Sequence, residues 1–273
     1  FQACDCTEIT LGASLKEIGG HAFRENEKLT QIAFPESLTT IGGYAFYQTG
    51  LTKATIPSTV TTIGSRAFST CADLAEVDLN DASADLAIGY EAFVSMSKGS
   101  KIYVKDVNMS NKVKNAKAYT PDNTTIINTS EFTDEQTGLI FDASSGAAVV
   151  TGWNAPASFD GNLTIPEKIK NPYTGKTYTV TTIADGTNGA GVFQAKNELK
   201  SITLPSTLES IGDYAFYKVD SISELYIPKN VTKIGANAFS RDNNLNSAES
   251  SAQGLHKIVF EKSDKTVTIE NRA

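Results

Sequence analysis

One six-residue unit, Ile-Gly-x-x-Ala-Phe, recurs along this chain and constrains its fold more than any other feature. It reads I-G-G-H-A-F from Ile18, I-G-G-Y-A-F from Ile41, I-G-S-R-A-F from Ile63 and I-G-Y-E-A-F from Ile88. It returns as I-G-D-Y-A-F from Ile211 and I-G-A-N-A-F from Ile234. The motif Phe positions are Phe1, Phe23, Phe46, Phe68 and Phe93, then Phe193, Phe216 and Phe239, most of them 22 or 23 residues apart. Of the 13 Phe in the 273 residues, eight sit in this register. A period of this length marks a stack of supersecondary units, none of which can bury its apolar side alone.

Each piece of the unit has a physical reading. About six residues after the Phe comes Leu-x-x-Ile-x-Ile-Pro, as in Leu29 to Pro35, Leu51 to Pro57, Leu199 to Pro205 and Ile222 to Pro228. Its end alternates with period two, which reads as a short strand with one buried face. Pro lacks the amide that would continue the ladder, so it ends the strand. The next apolar pair, Leu38 with Ile41 or Val60 with Ile63, buries a second side of the coil. Gly after Ile, at Gly42, Gly64, Gly89, Gly212 and Gly235, suits a positive φ or a close backbone approach. Ala-Phe places a small residue and a large ring between neighbouring coils. Parallel strands stacked ~4.8 Å apart make a sheet, and the five strands of the first block would span roughly 20 Å.

The combined pattern Leu-x-x-Ile-x-Ile-Pro-x-x-Val-x-x-Ile-Gly-x-x-Ala-Phe-x-x-Cys resembles the BspA-like leucine-rich repeats, a bacterial surface-protein class. The fold expected is a leucine-rich repeat solenoid, mainly β with short turns and 3-10 segments. It comes as two repeat blocks with a β-rich interruption. Residues 1–104 form block one. Residues 105–130 form a cap and linker, with Val113, Ala116 and Tyr119 at helical spacing before Pro121. Residues 131–182 read as a β-meander leader, and 183–273 as block two. Phe1 aligns with the motif Phe, and Ala273 with the Ala of a degenerate I-E-N-R-A. The chain is therefore expected to be a piece of a longer solenoid, with any export signal upstream.

Chemistry-bearing motifs are few. The charge balance of 24 Lys and Arg against 31 Asp and Glu, without a basic stripe, argues against nucleic acid as a partner. No run of apolar residues is long enough to span a membrane. Cys4 and Cys71 both fall three residues after a motif Phe, and Cys6 is read at the strand Leu. All three are expected as buried core thiols. His21, on a turn, and His256 have no nucleophile motif to serve. Thr174 to Thr177 spell T-G-K-T, but the earlier Gly of a phosphate loop is Lys170 here, so a hairpin turn is expected. The Gly186 string likewise has the wrong spacing. Asp242, Asn244, Asn246 and Glu249 overlap a calcium-loop pattern, yet Ser247 and Gln253 replace its Gly and Glu, so a solvated loop is expected. No catalytic, cofactor or metal site follows.

What remains is the open sheet face. Alternation turns Ile32 and Phe34 inward and Gln31 and Ala33 outward. The other outward pairs are Glu8 and Thr10, Lys53 and Thr55, Glu76 and Asp78, and Lys101 and Tyr103. In block two they are Ser201 and Thr203, Glu224 and Tyr226, and Lys257 and Val259. Tyr103 and Tyr226 are the leading contact candidates, because Tyr buries much area at small entropic cost. The expectation is a monomeric, non-enzymatic module that meets an extracellular protein or glycan. The resemblance implies adhesion to host matrix or other cells, from a secreted or cell-surface protein. A spacer that presents some other domain is the alternative. A glycan-processing enzyme would need paired carboxylates in a cleft; Glu76 and Asp78 share a face but no cleft is legible.

Overall fold

The computed structural model describes residues 1–240, 255 and 257–273. They form two compact units, Phe1–Thr129 and Ser130–Ala273, each with its own apolar core. The calcium-like stretch 242–249 and His256 lie outside the described residues.

The first unit is a stack of coils. In order it contains β1 (Glu17–Ile18), β2 (Thr40–Ile41), β3 (Lys53–Thr55), β4 (Thr62–Ile63), β5 (Glu76–Leu79), β6 (Ala87–Ile88), β7 (Ser100–Val104), α1 (Val107–Asn115) and β8 (Thr124–Asn128). Two parallel ladders run along it. One joins the two-residue strands β1, β2, β4 and β6, with Ile18, Ile41, Ile63 and Ile88 in register. The other joins β3, β5, β7 and β8. The sheet expected from the repeat thus has four strands with a different membership. Residues 8–10 and 31–33 are outside the ladder, and β8 joins it. Phe34 follows the second of these segments. Its ring stands edge-on to Phe46 and Phe68 at 5.6 and 6.3 Å. It takes the place that Ile56 holds in the next coil, and an open groove lies between the two.

The turn side of the coil is more regular. The motif rings stack in one column, with centroids 5.9, 5.3, 5.1 and 5.7 Å apart from Phe1 through Phe23, Phe46 and Phe68 to Phe93. Backbone bonds follow the same course: Phe23 N donates to Ala45 O, Phe46 N to Ala67 O and Phe68 N to Ala92 O, at 2.7 to 2.8 Å. None of the motif Gly named above has a positive φ. Of the two roles open to them, close approach is the one they fill. A Cβ on Gly64 would lie 2.3 Å from Gly43 N, and one on Gly42 would lie 2.5 Å from Gly20 N. The left-handed conformation falls instead on the residue before Ala-Phe, at His21, Tyr44, Arg66 and Glu91, and on the second residue after Phe, at Glu25, Gln48, Thr70 and Ser95. That turns their amides toward the next coil, where His21 N meets Gly43 O and Glu25 N meets Tyr47 O.

A polar row lies under the turn. Asn26 is fully buried and donates from Nδ2 to Phe1 O at 2.8 Å and Phe23 O at 2.9 Å. Thr49 Oγ1 donates to Phe46 O, and the Cys71 thiol also reaches Phe46 O, at 3.1 Å. In these coils a small donor three residues after the Phe gives a buried Phe carbonyl its partner; after Phe93 the position is the apolar Met96. Cys71 is the buried thiol expected. Cys4 and Cys6 are not: they form a disulfide, with Cys4 exposed and Cys6 half-buried. Cys6 follows Phe1 by five residues, one short of the six that separate Phe23 from Leu29, so it misses the inward strand position.

Helix α1 closes the stack. Asp106 caps it by accepting from Met109 N at 2.8 Å, and it buries Met109, Ser110 and Val113. It ends at Asn115, so Tyr119 is not helical as the spacing suggested. Lys117 has φ 47, Ala118 is buried and accepts from Phe93 N, and Tyr119 pairs with Phe93. Lys-Ala-Tyr is thus another copy of the x-Ala-Phe turn, carried by a helix in place of Ile-Gly.

In the second unit β9 (Glu131–Thr133), β10 (Leu139–Asp142) and β11 (Ala148–Trp153) form an antiparallel meander. Next come β12 (Asn162–Thr164), β13 (Lys168–Lys170), β14 (Thr177–Ile183), β15 (Ser201–Thr203), β16 (Ser210–Ile211), β17 (Glu224–Ile227), β18 (Lys233–Ile234), β19 (Lys257–Phe260) and β20 (Thr268–Ile269). Strand β11 turns parallel to β14, which leads into β16, β18 and β20. Strand β12 pairs in parallel with β15, and β17 with β19. Strands β13 and β14 form the hairpin expected at T-G-K-T, with Gly175 at φ 70. Trp153 heads the second ring column: it lies 5.9 Å from Phe193, which stacks on Phe216, and Phe216 on Phe239.

Candidate functional site

The outward rows of the first unit are set by register. Lys53 stands beside Glu76, and Glu76 beside Lys101; Thr55 stands beside Asp78, and Asp78 beside Tyr103. Lys53 Nζ pairs with Glu76 Oε2 at 3.1 Å. Strand β8 extends the two rows with Thr125 and Ile127, which sequence alternation missed. The signal was the T-T-I-I-N run at Thr124 to Asn128. Gln31 is exposed but belongs to the segment outside the ladder. There the coils leave two open grooves. One of about 500 Å³ is bounded by Ile32, Phe34, Glu36, Ile56 and Ser58. The other, of about 320 Å³, lies between Glu8–Leu11 and Gln31–Ala33.

The second unit presents shorter faces. Ser201 stands opposite Asn162 and donates to its Oδ1 at 2.7 Å, and Thr203 stands opposite Thr164. On β17 and β19, Lys257 pairs with Glu224 at 3.1 Å. The hydrogen bond to that carboxylate, and then its charge, hold the Lys257 ammonium above its ordinary range. Tyr226 is 57% exposed, and its hydroxyl donates to Glu224 at 3.3 Å. Tyr103, by contrast, is half-buried. The structure therefore brings together Lys53, Glu76 and Lys101, then Thr55, Asp78 and Tyr103, and separately Glu224, Tyr226 and Lys257. Glu76 and Asp78 lie on an open face, with Lys53 drawn against Glu76.

The turn side of the first unit carries a different surface. His21, exposed as expected, stacks on Tyr44 at 5.0 Å. Arg66 donates to the Tyr44 hydroxyl at 3.0 Å and pairs with Glu91 at 2.6 Å. The Tyr90 hydroxyl, and next the Arg66 guanidinium, hold the Glu91 carboxyl below the usual carboxylate range. These side chains brace adjacent coils against one another. No helix among the described residues is long and apolar enough to cross a membrane.

The family described as BspA type leucine rich repeat region matches residues 1–127 and 179–271 in six copies. No curated protein matches the chain. A leucine-rich repeat protein from Bacteroides capillosus is similar at 21% identity, over 49% of this chain and 99% of its own, with a TM-score of 0.37. A leucine rich cell surface protein from Faecalibacterium prausnitzii is similar at 15% identity, over 92% of this chain and 78% of its own, with a TM-score of 0.30. The pneumococcal vaccine antigen PcpA is 15% identical over 96% of this chain and 78% of its own, with a TM-score of 0.29.

Proposed function

The chain belongs to the BspA type leucine-rich repeat family, and from that premise we propose that it is a non-enzymatic binding module of a secreted or cell-surface protein. It acts as a monomer and contacts extracellular proteins or glycans in an adhesive role. The observation that carries this reading is the contrast between the two faces of each sheet. Inward residues stay apolar from coil to coil, as Ala54, Val77 and Ile102 do on β3, β5 and β7. Outward residues change: Lys53, Glu76, Lys101 in one row and Thr55, Asp78, Tyr103 in the other. Packing imposes no such variety on a solvated row, and a surface that differs at each coil is what selective contact requires.

The test is binding of the chain to immobilised matrix proteins and glycans, with the double variant Tyr103→Ala, Tyr226→Ala beside it. Saturable binding that weakens about tenfold or more in the variant is expected. Binding unchanged in the variant removes the open faces from the site. A chain that binds none of the panel is the spacer described above, and turnover of a glycan or ester substrate overturns the non-enzymatic reading.

A further inference from the structure

The first coil departs from the others at one place. Three residues after the motif Phe, the later coils of the first unit bury Asn26, Thr49, Cys71 and Met96. In the first coil the same position is Cys4, exposed and disulfide-bonded to Cys6. Asn26 Oδ1 accepts from the Cys4 and Cys6 amides at 3.1 and 3.4 Å, so the backbone of this small loop is held from the neighbouring coil.

Between the two cysteines Asp5 has φ 54. Its counterparts in the next four coils are Glu27, Gly50, Ala72 and Ser97, and none of them has a positive φ. The left-handed conformation at this position thus accompanies the disulfide and is no part of the repeat. Gly adopts this conformation at less cost than Asp, although Asp is among the side chains that tolerate it best. A ring closed over a single intervening residue also restricts the unfolded chain least of all, so such a bridge adds little stability. Neither observation fits a structural staple.

The surroundings fit exchange. Lys28 holds in the second coil the place that Cys6 holds in the first, five residues after the motif Phe. Its Nζ pairs with Asp5 at 3.0 Å on the surface. The bridge therefore has a cation on the adjoining coil, and positive charge near a sulfur favours its thiolate form and makes it a better leaving group. We propose that Cys4–Cys6 is a thiol-exchange site, open to the thiolate of a low-mass thiol or of a cysteine on another protein.

The incoming thiolate attacks Sγ of Cys4, the more exposed residue of the pair, and forms a new S–S bond there. The Cys4–Cys6 bond breaks, its electron pair leaves on Cys6 Sγ, and Cys6 takes a proton from water. A second thiolate attacks the mixed disulfide and releases the external disulfide, leaving both protein cysteines as thiols. Two external thiols are oxidised to one disulfide, and the protein disulfide is reduced. Cys71 takes no part: it is buried, burial pushes its thiol up, and it is committed to Thr49 and to Phe46 O.

Intact mass and peptide mapping of the native chain, treated with millimolar glutathione and quenched by alkylation, test the proposal. The untreated chain should lack the two hydrogens of a dithiol, glutathione should appear on the Cys4 peptide, and Cys71 should stay unlabelled. Lys28→Gln should slow opening by about threefold to fivefold. Asp5→Gly, which lowers the cost of the left-handed conformation, should shift the equilibrium about fivefold toward the disulfide. In Cys6→Ser, Cys4 should form a lasting adduct with glutathione disulfide. A parallel arm with a bead-bound cysteine peptide separates the sources. Reaction with glutathione alone assigns low-mass thiols, and capture on the beads assigns protein thiols. Three free thiols in the untreated chain, a bridge that opens only in denaturant, or Cys71 labelling as fast as Cys4 overturns the proposal.

Discussion

On the turn side of the first unit the motif rings stack without a break from Phe1 to Phe93. On the sheet side, the strand ladder starts only at Lys53, after a single backbone bond from Thr52 N to Thr30 O. The same coils therefore have one edge fixed by ring stacking, close-approach Gly and a buried polar row, and another edge whose ladder is missing over residues 8–10 and 31–33. The turn side sets the spacing of the stack; the sheet side is where the sequence is free to vary. Six substitutions, two of them comparisons, test that division, the first with the largest effect.

Phe46→Ala should destabilise the first unit by about 3–5 kcal/mol in chemical denaturation, because the ring is fully buried between Phe23 and Phe68. Half-buried Phe34, changed in the same way, should cost clearly less; equal costs would remove the contrast between the two sides. Gly64→Ala comes next, at about 2–3 kcal/mol, since its Cβ meets backbone rather than a movable side chain. Gly12→Ala, with nothing within 4 Å, is the control and should stay within about 0.5 kcal/mol.

Thr49→Val keeps the shape but removes the hydroxyl that reaches Phe46 O and Cys71. A loss of about 1–2 kcal/mol is expected from thermal melts. The smallest effect apart from the Gly12 control belongs to the sheet side. Lys53→Met should cost less than about 1 kcal/mol and become indistinguishable from the parent at high salt, as an exposed ion pair allows. A larger, salt-insensitive loss would mean that the outward row is structural.

The solenoid was legible because its determinants are periodic. Ile41, Ala45 and Phe46 recur where they must be buried, so their roles could be assigned from spacing. Close approach at Gly42 was one of two roles open to it, and only the distance to Gly20 decides between them. Three features were hidden for different reasons. Phe34 satisfies the apolar pattern as well as Ile56 does, so the pattern does not tell a coil with a ladder strand from one without. Lys117, Ala118 and Tyr119 reproduce the turn without Ile-Gly before it, so helical spacing competed for the same residues. The Cys4–Cys6 bridge replaces a burial that four later coils all show. The candidate face was legible as alternation on β5 and β7, but its extension by Thr125 and Ile127 depends on a strand that follows a helix rather than a motif. At Gln31 the alternation held while the ladder did not.

The reach of the backbone bonds has a mechanical consequence. In the first unit Phe23 bonds to Ala45, Phe46 to Ala67 and Thr61 to Thr39, so each coil is tied to the coil beside it. Under tension such a stack should peel one coil after another, each release freeing about 23 residues, or roughly 80 Å of contour. A force–extension trace of evenly spaced steps would then count the coils directly. The closing coil with α1, whose helix and strand share the load differently, should mark the one step out of series.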